Sequence, residues 1–245
     1  MPRPVSIAGR RSSQEHRARL PARGAAFRRR LLAWYARYRR DLPWRGVRDP
    51  YAVLVSEMML QQTQVVRVRD YYSRFLGRYP TVEDLAAAPA DAVRESWAGL
   101  GYYARARNLH EAAKRVVDDH GGRFPAEPAA LRRLPGIGRY TAAAVASFAF
   151  DADVATVDTN IQRVLTRVFR LRGPRRTRAR RLWALAETLV PAGRSSDWNQ
   201  ALMDLGATVC GARAPRCAAC PVSAVCRFRS VPRARARAVS ARSAT

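Results

Sequence analysis

From residue 27 onward the apolar residues of this 245-residue chain fall almost throughout at helical spacing, and no alternation of period two runs long enough to make a sheet. That pattern confines the chain to the all-α class. Tyr102, Ala106, Leu109, Ala113 and Val116 recur at spacings of four and three, which predicts one helix with an apolar stripe ending before Gly121-Gly122. Pro80-Thr81 opens a short helix through Leu85, Pro89-Ala90 another through Trp97, and Glu127 to Leu134 a third that stops at Pro135-Gly136. Many short helices with brief Gly and Pro breaks predict a compact helical globule, and 48% hydrophobic residues suffice for its core.

Charge is the second constraint. The formal net charge is +26, of which the tails carry +14: residues 1–30 hold nine Arg and one Glu, and residues 227–245 hold six Arg and no acid. The remaining +12 lies on residues 31–226, so the body as well as the arms calls for an acidic partner, and nucleic acid is the first candidate. Residues 1–26 are expected to be a disordered basic arm and 230–245 a basic C-terminal tail. The N-terminal arm has no apolar run suited to a secretory signal, and no stretch is expected to span a bilayer. A soluble intracellular protein is therefore expected, cytoplasmic and associated with the nucleoid. The arm's composition also suits an organelle transit peptide, although a solvated basic arm is the simpler account. Of the 45 basic residues 44 are Arg, and Lys114 is the one lysine.

The stretch L-P-G-I-G-R-Y-T-A-A-A-V at 134–145 places two glycines between a short helix and a small-residue helix, a pattern that reads as a helix-hairpin-helix. Without Cβ atoms at Gly136 and Gly138 the hairpin backbone can approach a phosphate closely, and amide N–H groups at the next helix start can point at it. Such a contact reads no sequence. A plain tight turn between packed helices is the competing account of the same residues. Cys210, Cys217, Cys220 and Cys226 lie at spacing C-x6-C-x2-C-x5-C. Two disulfides in so short a loop do not suit an intracellular chain, whereas four thiolates can enclose a metal centre. The spacing alone leaves zinc and a four-iron cluster both open.

Four segments, taken in order with the cysteines, carry a resemblance: L-P-W-R at 42–45, S-E-M-M-L-Q-Q-T-Q-V at 56–65, G-L-G-Y-Y-A-R-A-R-N at 99–108, and the hairpin followed by V-D-T-N at 157–160. Together they resemble the MutY-type adenine DNA glycosylases of the endonuclease III superfamily. The resemblance implies a six-helix barrel domain, about 51–155, and a second helical lobe, about 27–50 and 156–229, bearing a [4Fe-4S] cluster on the four cysteines in preference to zinc. It implies a monomeric enzyme acting on double-stranded DNA with a mispaired base, which removes adenine opposite 8-oxoguanine or guanine.

Releasing a base from deoxyribose requires a proton on the leaving base and negative charge near an oxocarbenium-like sugar, which two carboxylates in different environments can supply. Glu57 stands beside Met58, Met59 and Leu60 with no cation in its own stretch, and an apolar setting keeps a carboxyl protonated, so Glu57 is the expected general acid. A surface glutamate on an amphipathic helix is the competing account. Asp158 precedes a new helical pattern, where it can cap the helix and stay ionised. The resemblance gives it the role of stabilising the sugar cation, and gives Asn160 that of orienting the attacking water. It also assigns Gln62 and Tyr102 as wedges that fill the stack after base extrusion, and Arg45 and Gln200 as contacts to the flipped adenine. Tyr102 could equally be a core aromatic heading its apolar stripe. Tyr140 stands where bifunctional relatives carry a Schiff-base lysine, and Lys114 lies mid-helix, so a monofunctional enzyme is expected. The three histidines, with His110 and His120 placed on helix surfaces or ends, receive no role.

Full-length members of the resembled family continue into a second domain that recognises 8-oxoguanine, and the tail to Thr245 is too short and polar to form it. Two expectations follow: adenine removal with weakened discrimination of the opposite base, or action on thymine or uracil opposite guanine. A non-catalytic DNA-damage-binding protein is a third, which the two intact carboxylates disfavour.

Overall fold

A computed structural model describes residues 22–228. The expected C-terminal tail and residues 1–21 of the expected arm lie outside the described residues. The first helix, α1 (Ala22–Tyr38), begins inside that arm, so residues 22–26 belong to the core. Phe27 and Leu31 are fully buried there, and Arg23 Nη1 donates to the Val225 carbonyl at 2.6 Å, tying the helix start to the cysteine loop.

Ten more α-helices follow: α2 (Pro50–Leu60), α3 (Val65–Arg78), α4 (Val82–Ala87), α5 (Ala90–Ser96), α6 (Ala104–His120), α7 (Pro128–Leu131), α8 (Arg139–Phe150), α9 (Thr159–Phe169), α10 (Arg175–Leu189) and α11 (Ser195–Thr208). Two 3-10 turns, Cys217–Ala219 and Ser223–Val225, close the described chain, and no strand forms among the described residues. The all-α expectation holds.

The reason for α2 is local. Pro50 at its first turn pre-sets the backbone, and Asp49 accepts from the Tyr51 and Ala52 amides at 3.1 and 3.2 Å, satisfying two orphan donors. Tyr51 through Met59 are buried on every face, so α2 is a central helix and not an amphipathic one. Leu54, Val55, Met58 and Met59, each nearly inaccessible, contribute about 1.5–3 kcal/mol apiece. Around α2 pack α3, α6 and the alanine-rich α8, while α4 and α5 lie on α6 and α7 on α8. A second apolar core joins α1, α9, α10, α11 and the cysteine loop, with Ile161, Val164, Leu165 and Val168 forming the buried stripe of α9. Leu42 and Trp44, in the connection from α1 to α2, belong to the first core. Met203 of α11 packs against both cores.

Several sequence expectations need correction. Helix α6 ends on Gly121 at φ +57, as the double glycine suggests, with the Gly121 and Gly122 amides donating to Val117 and Val116. Its start is later than the apolar spacing predicts: Tyr102 lies in the preceding loop at φ +48 and is 64% exposed, so it is not a core aromatic. The stripe begins at Ala106, because Gly99 and Gly101, both at positive φ, turn the chain away before the helix can start. The expected helix over 127–134 contracts to Pro128–Leu131, since Arg132 to Leu134 already turn toward the hairpin. His110 is buried at 3% exposure under the end of α4, where it bonds to backbone at Ala86 and Ala88; it is no surface residue.

Candidate active site

A cavity of about 510 Å³ opens between the two cores, and its lining unites the C-terminal half of α2, the start of α8, the start of α9 and the middle of α11. Of the residues singled out from sequence, Arg45, Glu57, Gln62, Tyr140, Asp158, Asn160 and Gln200 all face this cavity. Tyr102, Gly136, Gly138 and the cysteines do not line it.

Glu57 reaches the cavity from the buried helix α2 and is itself 5% exposed. Burial pushes its carboxyl from 4.5 up to about 7; the Tyr140 hydroxyl that donates to it and the Arg45 guanidinium act in the opposite sense, and Asp158 adds to the rise. The cation absent from its own stretch thus comes from the loop before α2. Tyr140 is pushed well above 10, first by burial and then by the two carboxylates, so its hydroxyl keeps its proton.

Asp158 caps α9. Its Oδ1 accepts from the Ile161 amide at 2.7 Å and its Oδ2 from Asn160 Nδ2 at 3.0 Å, so both oxygens are held at the positive end of the helix. Asn160 is fixed in turn, its Oδ1 accepting from Arg163 Nη2 at 2.7 Å.

Arg45 and Gln200 enter from the rim. Arg45 Nη2 pairs with Asp204 Oδ1 at 2.8 Å, and Arg40 pairs with the same oxygen at 2.7 Å; Asp204 is wholly buried. Gln200 accepts from the Tyr35 hydroxyl at 2.8 Å and donates to Ser196 Oγ at 3.2 Å, which leaves one lone pair and one N–H for a ligand. Sequence reading missed Asp204, although a carboxylate inside the apolar helix pattern A-L-M-D-L-G is a signal. Lys114 sits on α6, pairs with Glu111 at 3.2 Å and takes no part in the cavity lining.

Gln62 and Tyr102 are both exposed and both in the left-handed region, at φ +59 and +48. Gly136 is also left-handed at φ +72, and a Cβ there would lie 2.5 Å from the Asn108 side chain, so the hairpin turn demands glycine. Gly138 caps α8 with no side-chain acceptor for the helix's first amides, and the space beside it is open. Beyond it Arg139 stacks 3.5 Å over the Trp183 ring and pairs with Glu187, docking the hairpin on α10.

The four cysteines line one small apolar cavity beneath α9 and α11. Burial pushes the Cys220 thiol up to about 11, and the three neighbouring thiols add to the rise. Arg167 Nη1 lies 3.4 Å from Cys210 Sγ. Among the described residues no three His, Cys, Asp or Glu side chains are gathered to hold a single metal ion, so the case for a bound group rests on four thiols facing a shared apolar space.

Residues 55–188 match the HhH-GPD superfamily base excision DNA repair protein family. The adenine DNA glycosylase of Rattus norvegicus is 50% identical over 82% of this chain, and the alignment spans 41% of that protein. The adenine DNA glycosylase of Mycolicibacterium smegmatis is 46% identical over 82% of this chain and 68% of its own length. The structure of a thermostable thymine-DNA glycosylase superposes with a TM-score of 0.78 at 37% identity, covering 84% of this chain and 96% of that one. The chain belongs to the HhH-GPD superfamily of base excision DNA repair proteins.

Proposed function

We propose that this protein is a monofunctional DNA glycosylase that extrudes adenine mispaired with 8-oxoguanine or guanine and hydrolyses its N-glycosidic bond. The carrying observation is one cavity holding a buried Glu57 raised to about 7 beside an Asp158 bound by two N–H donors. Glu57 donates a proton to the leaving base while the Asp158 carboxylate faces the developing sugar cation, two roles set apart by environment. Tyr140 keeps its proton and orients Glu57. Asn160, committed to Asp158 and Arg163, fixes the carboxylate and presents its remaining N–H to water. Arg45 and Gln200 offer donors and an acceptor to the base; Gln62 and Tyr102, exposed beside the cavity mouth and in the loop before α6, fill the vacated stack. With no lysine lining the cavity, abasic-site cleavage by a side-chain Schiff base has no nucleophile there.

Gly136, Gly138 and the uncapped start of α8 would take a backbone phosphate. Cys210, Cys217, Cys220 and Cys226 would hold a [4Fe-4S] cluster, their thiols facing one small apolar space beneath α9 and α11; bound there, it would tie the turns of the cysteine loop to one another. The division into a barrel of about 51–155 and a lobe of about 27–50 and 156–229 belongs to the same reading; the two apolar cores follow it except that Leu42 and Trp44 join the barrel's core and Ala155 the lobe's. The enzyme is read as a monomer acting on nucleoid DNA in the cytoplasm, and no helix among the described residues is long and apolar enough to cross a membrane.

A second reading, removal of thymine or uracil opposite guanine, is favoured by the 96% coverage of the solved thymine-DNA glycosylase. The test is single-turnover base release from duplexes holding A opposite 8-oxoguanine, A opposite G, T opposite G and U opposite G, with and without alkali. Adenine release confined to the first two, with strand breaks only after alkali, is expected. Release of T or U instead establishes the second reading, and strand breaks without alkali contradict a monofunctional enzyme.

A further inference from the structure

Arg105 is 6% exposed, and no carboxylate pairs with it among the described residues. Its partners are backbone. Nη1 donates to the carbonyls of Met58, Met59 and Gln61 at 2.9, 2.7 and 2.5 Å, and Nη2 to Leu100 and Gly101 at 3.2 and 3.0 Å and to Thr63 Oγ1 at 3.0 Å. The first group includes the orphan carbonyls at the C-terminus of α2, the negative end of the helix that carries Glu57. The second is the loop leading into Tyr102, together with Thr63 just beyond Gln62. One planar guanidinium therefore joins two segments some forty residues apart in the chain through its two Nη groups, a span an ammonium cannot reproduce, while its Nε is left buried without a partner among the described residues.

The acceptors also flank particular residues. Gln61 and Thr63 stand on either side of Gln62, and Leu100 and Gly101 immediately precede Tyr102, whose ring lies 5.6 Å from the Arg105 guanidinium. Gln62 and Tyr102 are two of only four non-glycine residues at positive φ among the described residues, and such backbone persists only when its surroundings enforce it. Trp97, fully buried, has its ring 5.4 Å from the guanidinium and donates from Nε1 to the Gly101 carbonyl at 3.3 Å.

We propose that Arg105 is a positioning residue for base extrusion, locking the Gln62 and Tyr102 loops into one rigid double wedge at the end of the catalytic helix. The proposal rests on the base-excision reading of the cavity and adds a residue that the reading does not use. Extrusion needs both wedges to enter the stack together. A loosened clamp leaves the Glu57 and Asp158 chemistry intact once a base is in the cavity, so the defect should depend on how firmly the target is stacked.

The test compares single-turnover excision by wild type, Arg105→Lys and Thr63→Val on two DNAs: a fully paired duplex with the target adenine opposite guanine, and the same sequence with that adenine in an unpaired, flexible bulge. Arg105→Lys should slow the paired duplex about tenfold or more and the bulge by no more than about threefold. Thr63→Val, which removes the Arg105 bond to Oγ1 and the long 3.4 Å bond from Oγ1 to the Gln61 carbonyl while keeping the side-chain volume, should give the same selectivity at smaller amplitude. In a Gln62→Ala, Tyr102→Ala background Arg105→Lys should add almost nothing, because the residues it positions are gone. Equal losses on both DNAs, or a full additional loss in that background, overturn the proposal. If Arg105→Lys does not fold, as judged by circular dichroism, Thr63→Val decides by the same ratio. Wild type inactive on adenine in both DNAs sinks the adenine assignment instead, and the comparison is then decided with thymine opposite guanine.

Discussion

Glu57 costs the folded protein stability over the pH range where a general acid is useful, and removing its charge should reveal the amount. Its carboxyl rises from 4.5 to about 7 on folding, chiefly by burial. The folded state therefore binds this proton more tightly than the unfolded state. The associated stability is complete below pH 4.5, is lost as the pH rises toward 7, and changes no further above it. At 1.36 kcal/mol per pKa unit the loss is about 3 kcal/mol at pH 8, of which about 1 kcal/mol has already gone by pH 5. Glu57→Gln keeps the shape and an acceptor for the Tyr140 hydroxyl but has no proton to lose. Any pH-independent difference in packing cancels when two pH values are compared. The unfolding-temperature advantage of the variant over wild type should thus grow by about 5–10 °C between pH 5 and pH 8, using about 2–4 °C per kcal/mol for a chain of this size. Thermal unfolding followed by circular dichroism at pH 5, 6, 7 and 8 measures it. An advantage that is constant with pH, or largest in acid, refutes the argument that burial holds this carboxyl protonated.

Tyr140→Phe removes a hydrogen bond that favours the Glu57 anion, so the alkaline limb of the single-turnover rate, which follows the protonated fraction of Glu57, should move to higher pH; a limb that moves to lower pH contradicts the arrangement. Asp204→Asn leaves the guanidinium groups of Arg40 and Arg45 without their shared counter-ion and should cost about 3 kcal/mol in urea unfolding, whereas a loss below about 1 kcal/mol would mean the pair is solvent-screened. Gly136→Ala should lower the unfolding midpoint, because the left-handed turn and the Asn108 contact both exclude a Cβ, while Gly138→Ala should leave stability unchanged and weaken DNA binding in a filter or anisotropy assay.

Local chemistry was readable where a residue's environment is made by its own neighbours. Glu57 lies in an apolar run that becomes a helix buried on all sides, and Asp158 stands one residue before a helix whose amides it caps. The hairpin glycine Gly136, whose turn excludes a Cβ, belongs to the same class. Periodicity failed where a loop borrows the helix's spacing: Tyr102 continues the stripe of α6 on paper, but two glycines at positive φ and the Arg105 clamp hold it outside. His110 escaped because a histidine followed by Glu111 looks solvent-facing until α4 is laid across it. Asp204 and Arg105 act across 159 and 47 residues of sequence, on Arg45 and Met58, and no local pattern encodes those distances.

The two carboxylates of the cavity owe their difference to backbone position as much as to burial. Glu57 lies inside α2, where the amides are already committed to the helix and the nearest cation, Arg45, has its charge engaged by Asp204 at 2.8 Å. The field that would ionise Glu57 is thereby spent on another anion, and desolvation prevails. Asp158 occupies the one place in a helix where free amides point outward, and the Asn160 amide supplies a further donor. Two carboxyl groups in different settings, one buried and one held by N–H donors, therefore share one cavity. Arg45 can remain close enough to meet a base without stripping the acid of its proton, because the buried Asp204 on α11 holds it there.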